Sequence, residues 1–262
     1  MRIVHISDWH GESNSLPEAD LYVVTGDMLP NFCTFQYEMV DRSPLSINPL
    51  KVINWPANMH LLGCAAAKKP KDSAYVGRIT DPADEFSKQN RFIDIELQKG
   101  GFRRHLGSHD AQVVVIRGNH DFVDLGRWFG GDVFEFGADG TSFEFKGLKI
   151  SGVRGINWIV GEWSDELTDP EWRDAMRLFP DDCDMLLTHA PPRNILDSSY
   201  GSHYGADILA SYVHRRMIKS DEDGAKPLRA HFFGHIHEAN GSENIEGILF
   251  SNAATTHIVH DI

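Results

Sequence analysis

The chain has 262 residues, 41% hydrophobic and 24% charged, which suits one large α/β domain and excludes the disordered and fibrous classes. A formal net charge of −13 disfavours a protein that neutralises the phosphates of long nucleic acid, and it favours a small substrate. Cys33, Cys64 and Cys183 have no paired spacing and suit a reducing compartment, taken as the cytoplasm; no apolar run approaches the ~20 residues of a spanning helix, and the N-terminus MRIVHISDWHG lacks a signal-peptide core, so neither membrane nor export is expected.

In chain order, the first predicted strand, Arg2 to Ile6, ends at Asp8-Trp9-His10. Residues two apart in extended chain point the same way, so Asp8 and His10 can grip one ion together, although a pair of this kind is more often a surface turn. Leu21 to Thr25 is the second strand and stops at Gly26-Asp27. A carboxylate there can bridge two cations about 3.5 to 4 Å apart. From Met39 to Asp81 periodicity fades, prolines accumulate at Pro44, Pro49, Pro56 and Pro70, and Lys68, Lys69 and Lys71 form a basic patch. That stretch reads as an insertion or long loop at about 39–81. Pro82 to Leu97 follows as a helix, with Phe86, Phe92, Ile93 and Leu97 near one face.

The strand Gln112 to Ile116 runs into Gly118-Asn119-His120-Asp121, which offers an amide oxygen, an imidazole and a carboxylate in succession. Ser142 to Val153 alternates apolar and polar residues around Lys146-Gly147 and predicts a β-hairpin. A helix at Pro170 to Phe179 precedes the strand Met185 to Thr188, which ends at His189. Ala206 to Ile218 is the next helix, His231 to Phe233 is a strand ending at Gly234-His235-Ile236-His237, and Gly247 to Ala253 is expected beside it. Trp158 and Trp163 read as exposed residues of an interface or a substrate wall, and His203, shortly after His189, as a possible substrate contact.

Taken singly, D-x-H and GD are more often turns and a lone His189 is more often structural, whereas GNHD and GHIH are more specific signals; five successive strand ends offering D-x-H, GD, GNHD, H and GHIH form one ligand inventory. Near-continuous apolar strands are buried on both faces, and open α/β sheets place their ligands at such strand ends. The donors are carboxylate, amide oxygen and imidazole without thiolate, which suits Mn²⁺, Fe or Zn²⁺ at a catalytic site.

The ordered set Asp8, His10, Asp27, Asn119, His120, Asp121, His189, His235 and His237 resembles that of the calcineurin-like metallophosphoesterases. The resemblance implies an α/β four-layer sandwich, two facing mixed β-sheets flanked by helices, spanning 1–262 as a single domain. It also implies two divalent metal ions, Mn²⁺ favoured with Fe or Zn²⁺ as alternatives. One would be held by Asp8, His10, Asp27 and His237, the second by Asp27, Asn119, His189 and His235, with His120 near the leaving group and Asp121 orienting it. The stretches THAPPRNILDSSYGSHYGADILASYV, FFGHIHEANG and FSNAA look like the metallophosphoesterase-domain proteins first met in brain and their microbial relatives, a subgroup associated with phosphodiesters, including cyclic nucleotides. Asn31 in GDMLPN departs from the GDxxDRG of phosphoprotein phosphatases and disfavours that activity. The alternatives are a phosphomonoesterase or nuclease of the same superfamily, or a non-catalytic binding module on this fold.

Overall fold

The central strands are apolar on both sides, so each sheet must be covered twice. The computed structural model describes residues 1–12, 14–32, 34–41, 52–56, 73–79, 82–137, 140–157, 159, 163–218 and 227–262. Strands β1 (Arg2–Ser7) and β2 (Leu21–Val24) are parallel neighbours, with Ile3 opposite Leu21. Where an insertion or long loop is expected, β3 (Thr34–Asp41), β4 (Val52–Pro56) and β5 (Ser73–Ile79) form an antiparallel three-stranded sheet of their own, with β3 central. The basic patch at Lys68, Lys69 and Lys71 lies outside the described residues, as do Cys33, Cys64 and Trp158.

Helix α1 (Pro82–Gln98) leads to β6 (Gln112–Val115), the short helix α2 (Gly126–Phe129) and β7 (Val133–Glu135). The hairpin β8 (Ser142–Phe145) and β9 (Leu148–Val153) turns at Lys146-Gly147 as expected. Two-residue strands β10 (Ile156–Asn157) and β11 (Glu166–Leu167) precede α3 (Asp169–Arg177) and β12 (Met185–Thr188). After them come β13 (Ser198–Ser199), β14 (Ser202–His203), α4 (Asp207–Ile218), β15 (Ala230–Phe233), β16 (Gly241–Ile245), β17 (Ile248–Asn252) and β18 (Thr256–Asp261).

Two mixed sheets result. The first has the order β18-β1-β2-β6-β7, parallel except for β18, and the second β16-β17-β15-β12-β9-β8, with a parallel centre and antiparallel edges. Strand alternation sends Ile3, Leu21, Val23 and Val114 inward against Ile150, Met185, Leu187 and Phe232 of the second sheet. Val4, Ile6, Val113 and Val115 face the other way, onto Ile93 of α1, Phe102 and Trp128. The outer face of the second sheet packs Leu186, Phe233 and Phe250 against Trp172 and Met176 of α3 and Leu209 and Tyr212 of α4. The order is therefore helix, sheet, sheet, helix, and each fully buried aliphatic or aromatic side chain stabilises it by roughly 1.5–3 kcal/mol. Among the described residues no helix is long and apolar enough to cross a membrane.

The inward face of α1 differs from the hydropathic expectation. Phe86 is 53% exposed and Leu97 is exposed too, whereas Glu85, Gln89, Ile93 and Glu96 are buried. These four recur at helical spacing, so the face exists, but three of its members are polar and find partners inside. Glu85 accepts from Phe32 N at 2.9 Å, and Glu96 pairs with Arg104 and Lys99.

A candidate dinuclear metal centre at the strand ends

The parallel strands deliver their C-terminal ends to one edge of the sandwich, and close backbone pairing continues past them. Asp8 N donates to Gly26 O at 2.9 Å, His10 N to Asp27 O at 3.0 Å, and Gly11 N to Met28 O at 2.8 Å. Asp8, His10, Asp27 and His235 all have positive φ, at 56°, 47°, 53° and 70°. Such backbone costs roughly 1–3 kcal/mol per residue, and four strained residues with metal-binding side chains in one place mark a functional centre.

Two glycines permit the loops to meet. A Cβ at Gly118 would lie 2.2 Å from Asp27 Oδ1, and one at Gly234 would lie 2.2 Å from Asp8 Oδ2. Only a residue without a side chain fits at either position.

Two carboxylate–imidazole triads form side by side. Asp8, His10 and His237 place their ligand atoms within 4.8 Å of one another, and so do Asp27, His189 and His235. Asp8 Oδ1 lies 3.1 Å from His237 Nε2, while Asp8 Oδ2 accepts from Ser7 Oγ at 2.5 Å and from His235 N at 2.9 Å. Asp27 Oδ2 lies 3.2 Å from His189 Nε2, and Asp27 Oδ1 accepts from His120 N at 2.7 Å. Asn119 Oδ1 reaches His189 Nε2 at 3.1 Å. His189 Nδ1 donates to Thr25 O at 2.6 Å, which fixes the tautomer and turns Nε2 into the site, as histidine ligands require.

The electrostatics favour a cation. Burial opposes the charge on Asp8 and Asp27, yet the hydrogen bond from His237 to Asp8 and the nearby His189 hold both carboxyls well below the usual carboxylate range. Burial also opposes charge on His189, but Asp27 prevails and pushes that imidazole up to about 10. A protonated His189 thus stands where the carboxylates demand positive charge, and a divalent ion meets the same demand by displacing the proton. Burial, helped by neighbouring imidazoles, lowers His120 to about 3 and His235 to about 4. The donor set and the His189 tautomer both fit metal ions.

His120 stands beside this cluster, with its ring 5.1 Å from that of His10 and Nε2 3.8 Å from Asp27 Oδ2. Asp121 does not orient it as expected. Its carboxylate accepts instead from three backbone amides, Gly118 N, Met28 N and Leu29 N, each at 3.0 Å, and so clamps the loop after β6 to the loop after β2. Burial and the adjacent Asp27 push Asp121 up to about 7 despite those donors.

Two other residues position His120. Trp163, expected to be exposed, is 8% exposed and packs its ring 4.3 Å from the His120 ring. Gln89 of α1 donates to His120 O at 2.6 Å and accepts from Phe122 N at 2.8 Å. No motif announces Gln89, because only its seven-residue spacing from Glu96 on a buried helix face hints at it. His10 has a further neighbour in Asn31, whose Nδ2 lies 3.3 Å from His10 Nδ1.

Residues 1–239 match the model of one protein family, described as calcineurin-like phosphoesterase. No curated protein matches the chain.

Proposed function

The chain belongs to the calcineurin-like phosphoesterases, metal-dependent phosphoric ester hydrolases with a dinuclear centre, and within that family we propose that it cleaves phosphodiesters of small substrates such as cyclic nucleotides. The observation that carries this reading is the pair of adjoining triads, Asp8-His10-His237 and Asp27-His189-His235. One ion is assigned to Asp8, His10, Asp27 and His237, the second to Asp27, Asn119, His189 and His235, with Asp27 shared. Manganese is favoured, with iron or zinc as alternatives, since carboxylate, amide oxygen and imidazole donors accept all three. When bound, the ions supply positive charge to the phosphoryl oxygens and lower the pKa of water toward ~7.

The chain's own groups do the rest. Asp8 and Asp27 are fixed by backbone donors before substrate arrives, so little reorganisation accompanies the reaction. His120 Nδ1 is buried and has no hydrogen-bond partner among the described residues, which leaves it available to the departing ester oxygen. Trp163 and Gln89 hold the ring and its backbone in place.

The preference for diesters is supported by the resemblance of THAPPRNILDSSYGSHYGADILASYV, FFGHIHEANG and FSNAA to the brain-type metallophosphoesterase-domain subgroup. A small substrate is supported by the net charge of −13. The test is hydrolysis of bis-p-nitrophenyl phosphate, p-nitrophenyl phosphate and 2′,3′- and 3′,5′-cyclic nucleotides with Mn²⁺, for the wild type, His120→Ala and Asp27→Ala. Diester turnover lost in both variants supports the proposal, and a strong monoester preference replaces it with a phosphatase.

A further inference from the structure

The segment between His189 and α4, APPRNILDSSYGSHYGA, contributes nothing to the two triads yet is built with unusual care. A β-bridge between Pro192 and Ala206 closes it, and Asn194, Leu196 and Tyr200 adopt φ of 69°, 45° and 48°. At its centre Asp197 is only 1% exposed. Asp197 Oδ2 accepts from Gly205 N at 2.9 Å, and its backbone carbonyl accepts from Tyr204 N at 3.1 Å. Asp197 Oδ1 accepts from Nδ1 of His203 at 2.6 Å, although His203 itself is 45% exposed.

The loop is tied to the metal-ligand segments at both ends. It starts immediately after His189, and its hairpin of β13 and β14 packs on the turn His237–Ala239. Asn252 Nδ2 donates both to Leu196 O at 3.0 Å and to Ile236 O at 2.9 Å, joining this loop to the one that carries His235 and His237.

With Nδ1–H donating to the buried carboxylate, Nε2 of the neutral His203 ring carries the lone pair and serves as a hydrogen-bond acceptor. Ser198 is exposed and stands directly opposite His203 in the register of the hairpin. We propose that His203, set by Asp197, accepts a hydrogen bond from a hydroxyl on the organic group of the phosphoester, so that the enzyme selects sugar or polyol esters. The inference rests on the phosphodiesterase reading and specifies its substrate.

The test compares kcat and KM with Mn²⁺ for the wild type, His203→Ala and His203→Gln on two substrate pairs and a control. The pairs are 3′,5′-cyclic AMP with its 2′-deoxy counterpart, and glycero-3-phosphocholine with its 2-deoxy counterpart; the control is bis-p-nitrophenyl phosphate. The wild type is expected to prefer the hydroxyl-bearing member of one pair by about three- to tenfold in kcat/KM, and the responsive pair identifies the source as ribose or glycerol. His203→Ala should erase the preference mainly through KM, His203→Gln should retain part of it, and the control should stay within about twofold. Equal losses on the control, or no preference in either pair, overturn the inference. Failure of the wild type on every diester overturns the phosphodiesterase reading alone. The inference is then read from the His203 imidazole ¹⁵N shift on adding ribose or glycerol monophosphate: movement supports it and an unmoved signal overturns it.

Discussion

Gln89 and His120 are joined by a 2.6 Å hydrogen bond from the glutamine amide to the histidine carbonyl, so one side chain of α1 holds the loop on which His120 stands. The oxygen of the same amide accepts from Phe122 N at 2.8 Å, so the two bonds flank Asp121 and fix the backbone that leaves His120. Replacing Gln89 with Leu or Met leaves two backbone groups unpaired, at about 1–3 kcal/mol each if buried. Both variants are expected to lower the melting temperature by several degrees and kcat by roughly tenfold or more, with a smaller change in KM. Steady-state kinetics with thermal unfolding would check this, and a fully active, equally stable Gln89→Leu protein would refute it.

Metal content separates the shared ligand from the unshared ones. Asp27→Ala should reduce bound metal from about two ions per chain toward none, whereas His10→Ala should retain about one. Elemental analysis of the purified proteins after dialysis against Mn²⁺ measures this directly. Equal loss in the two variants would remove Asp27 from its bridging role.

His120→Ala should lower kcat by about 10²–10⁴-fold with metal content intact, as expected for a group that assists departure of the ester oxygen. The loss should be larger for alkyl esters than for p-nitrophenyl esters, whose leaving group needs little help. A uniform loss across leaving groups would assign His120 to substrate binding instead.

A second pair of buried histidines lies outside the two triads, His5 between the sheets against Phe232 and His231 on the outer face of the second sheet beside Phe233 and Phe250. His5 bonds Ser251 Oγ at 2.8 Å and Thr25 Oγ1 at 2.9 Å and stacks on Phe232, and His231 bonds Thr188 Oγ1 at 2.8 Å. Burial holds His5 well below its ordinary value and lowers His231 to about 3. The unfolded chain takes up these protons near pH 6.5 and the folded chain does not, so below about pH 6.5 the unfolded state binds more protons. Their stabilising contribution is therefore full above pH 6.5 and declines as pH falls toward the folded values. Urea unfolding from pH 7.5 to pH 5 should show a loss of roughly 1 kcal/mol per pH unit per histidine below pH 6.5, and His231→Phe should flatten the slope.

The five strand-end clusters were legible in the sequence because strand and ligand lie next to each other in it: Arg2–Ser7 runs into Asp8, and Ala230–Phe233 into His235. Local periodicity likewise located the Lys146-Gly147 hairpin and the three longer helices among the described residues. Which side of α1 faces inward was misread at Phe86 and Leu97, because hydropathy assigns Glu85, Gln89 and Glu96 to water unless their partners are known. Those partners include Phe32, His120 and Phe122, up to 53 residues away.

By itself the sequence determined the fold class and the chemistry and order of the candidate metal-binding residues, since each of these depends on residue type and short-range spacing. Tertiary structure alone decided that β18 would close the first sheet against β1, that Asp121 would clamp backbone amides instead of orienting His120, and that Trp163 and Gln89 would position that histidine. The physical reason is that burial and hydrogen-bond pairing are properties of a neighbourhood. A polar side chain is a surface group or an internal brace according to what the rest of the chain brings to it.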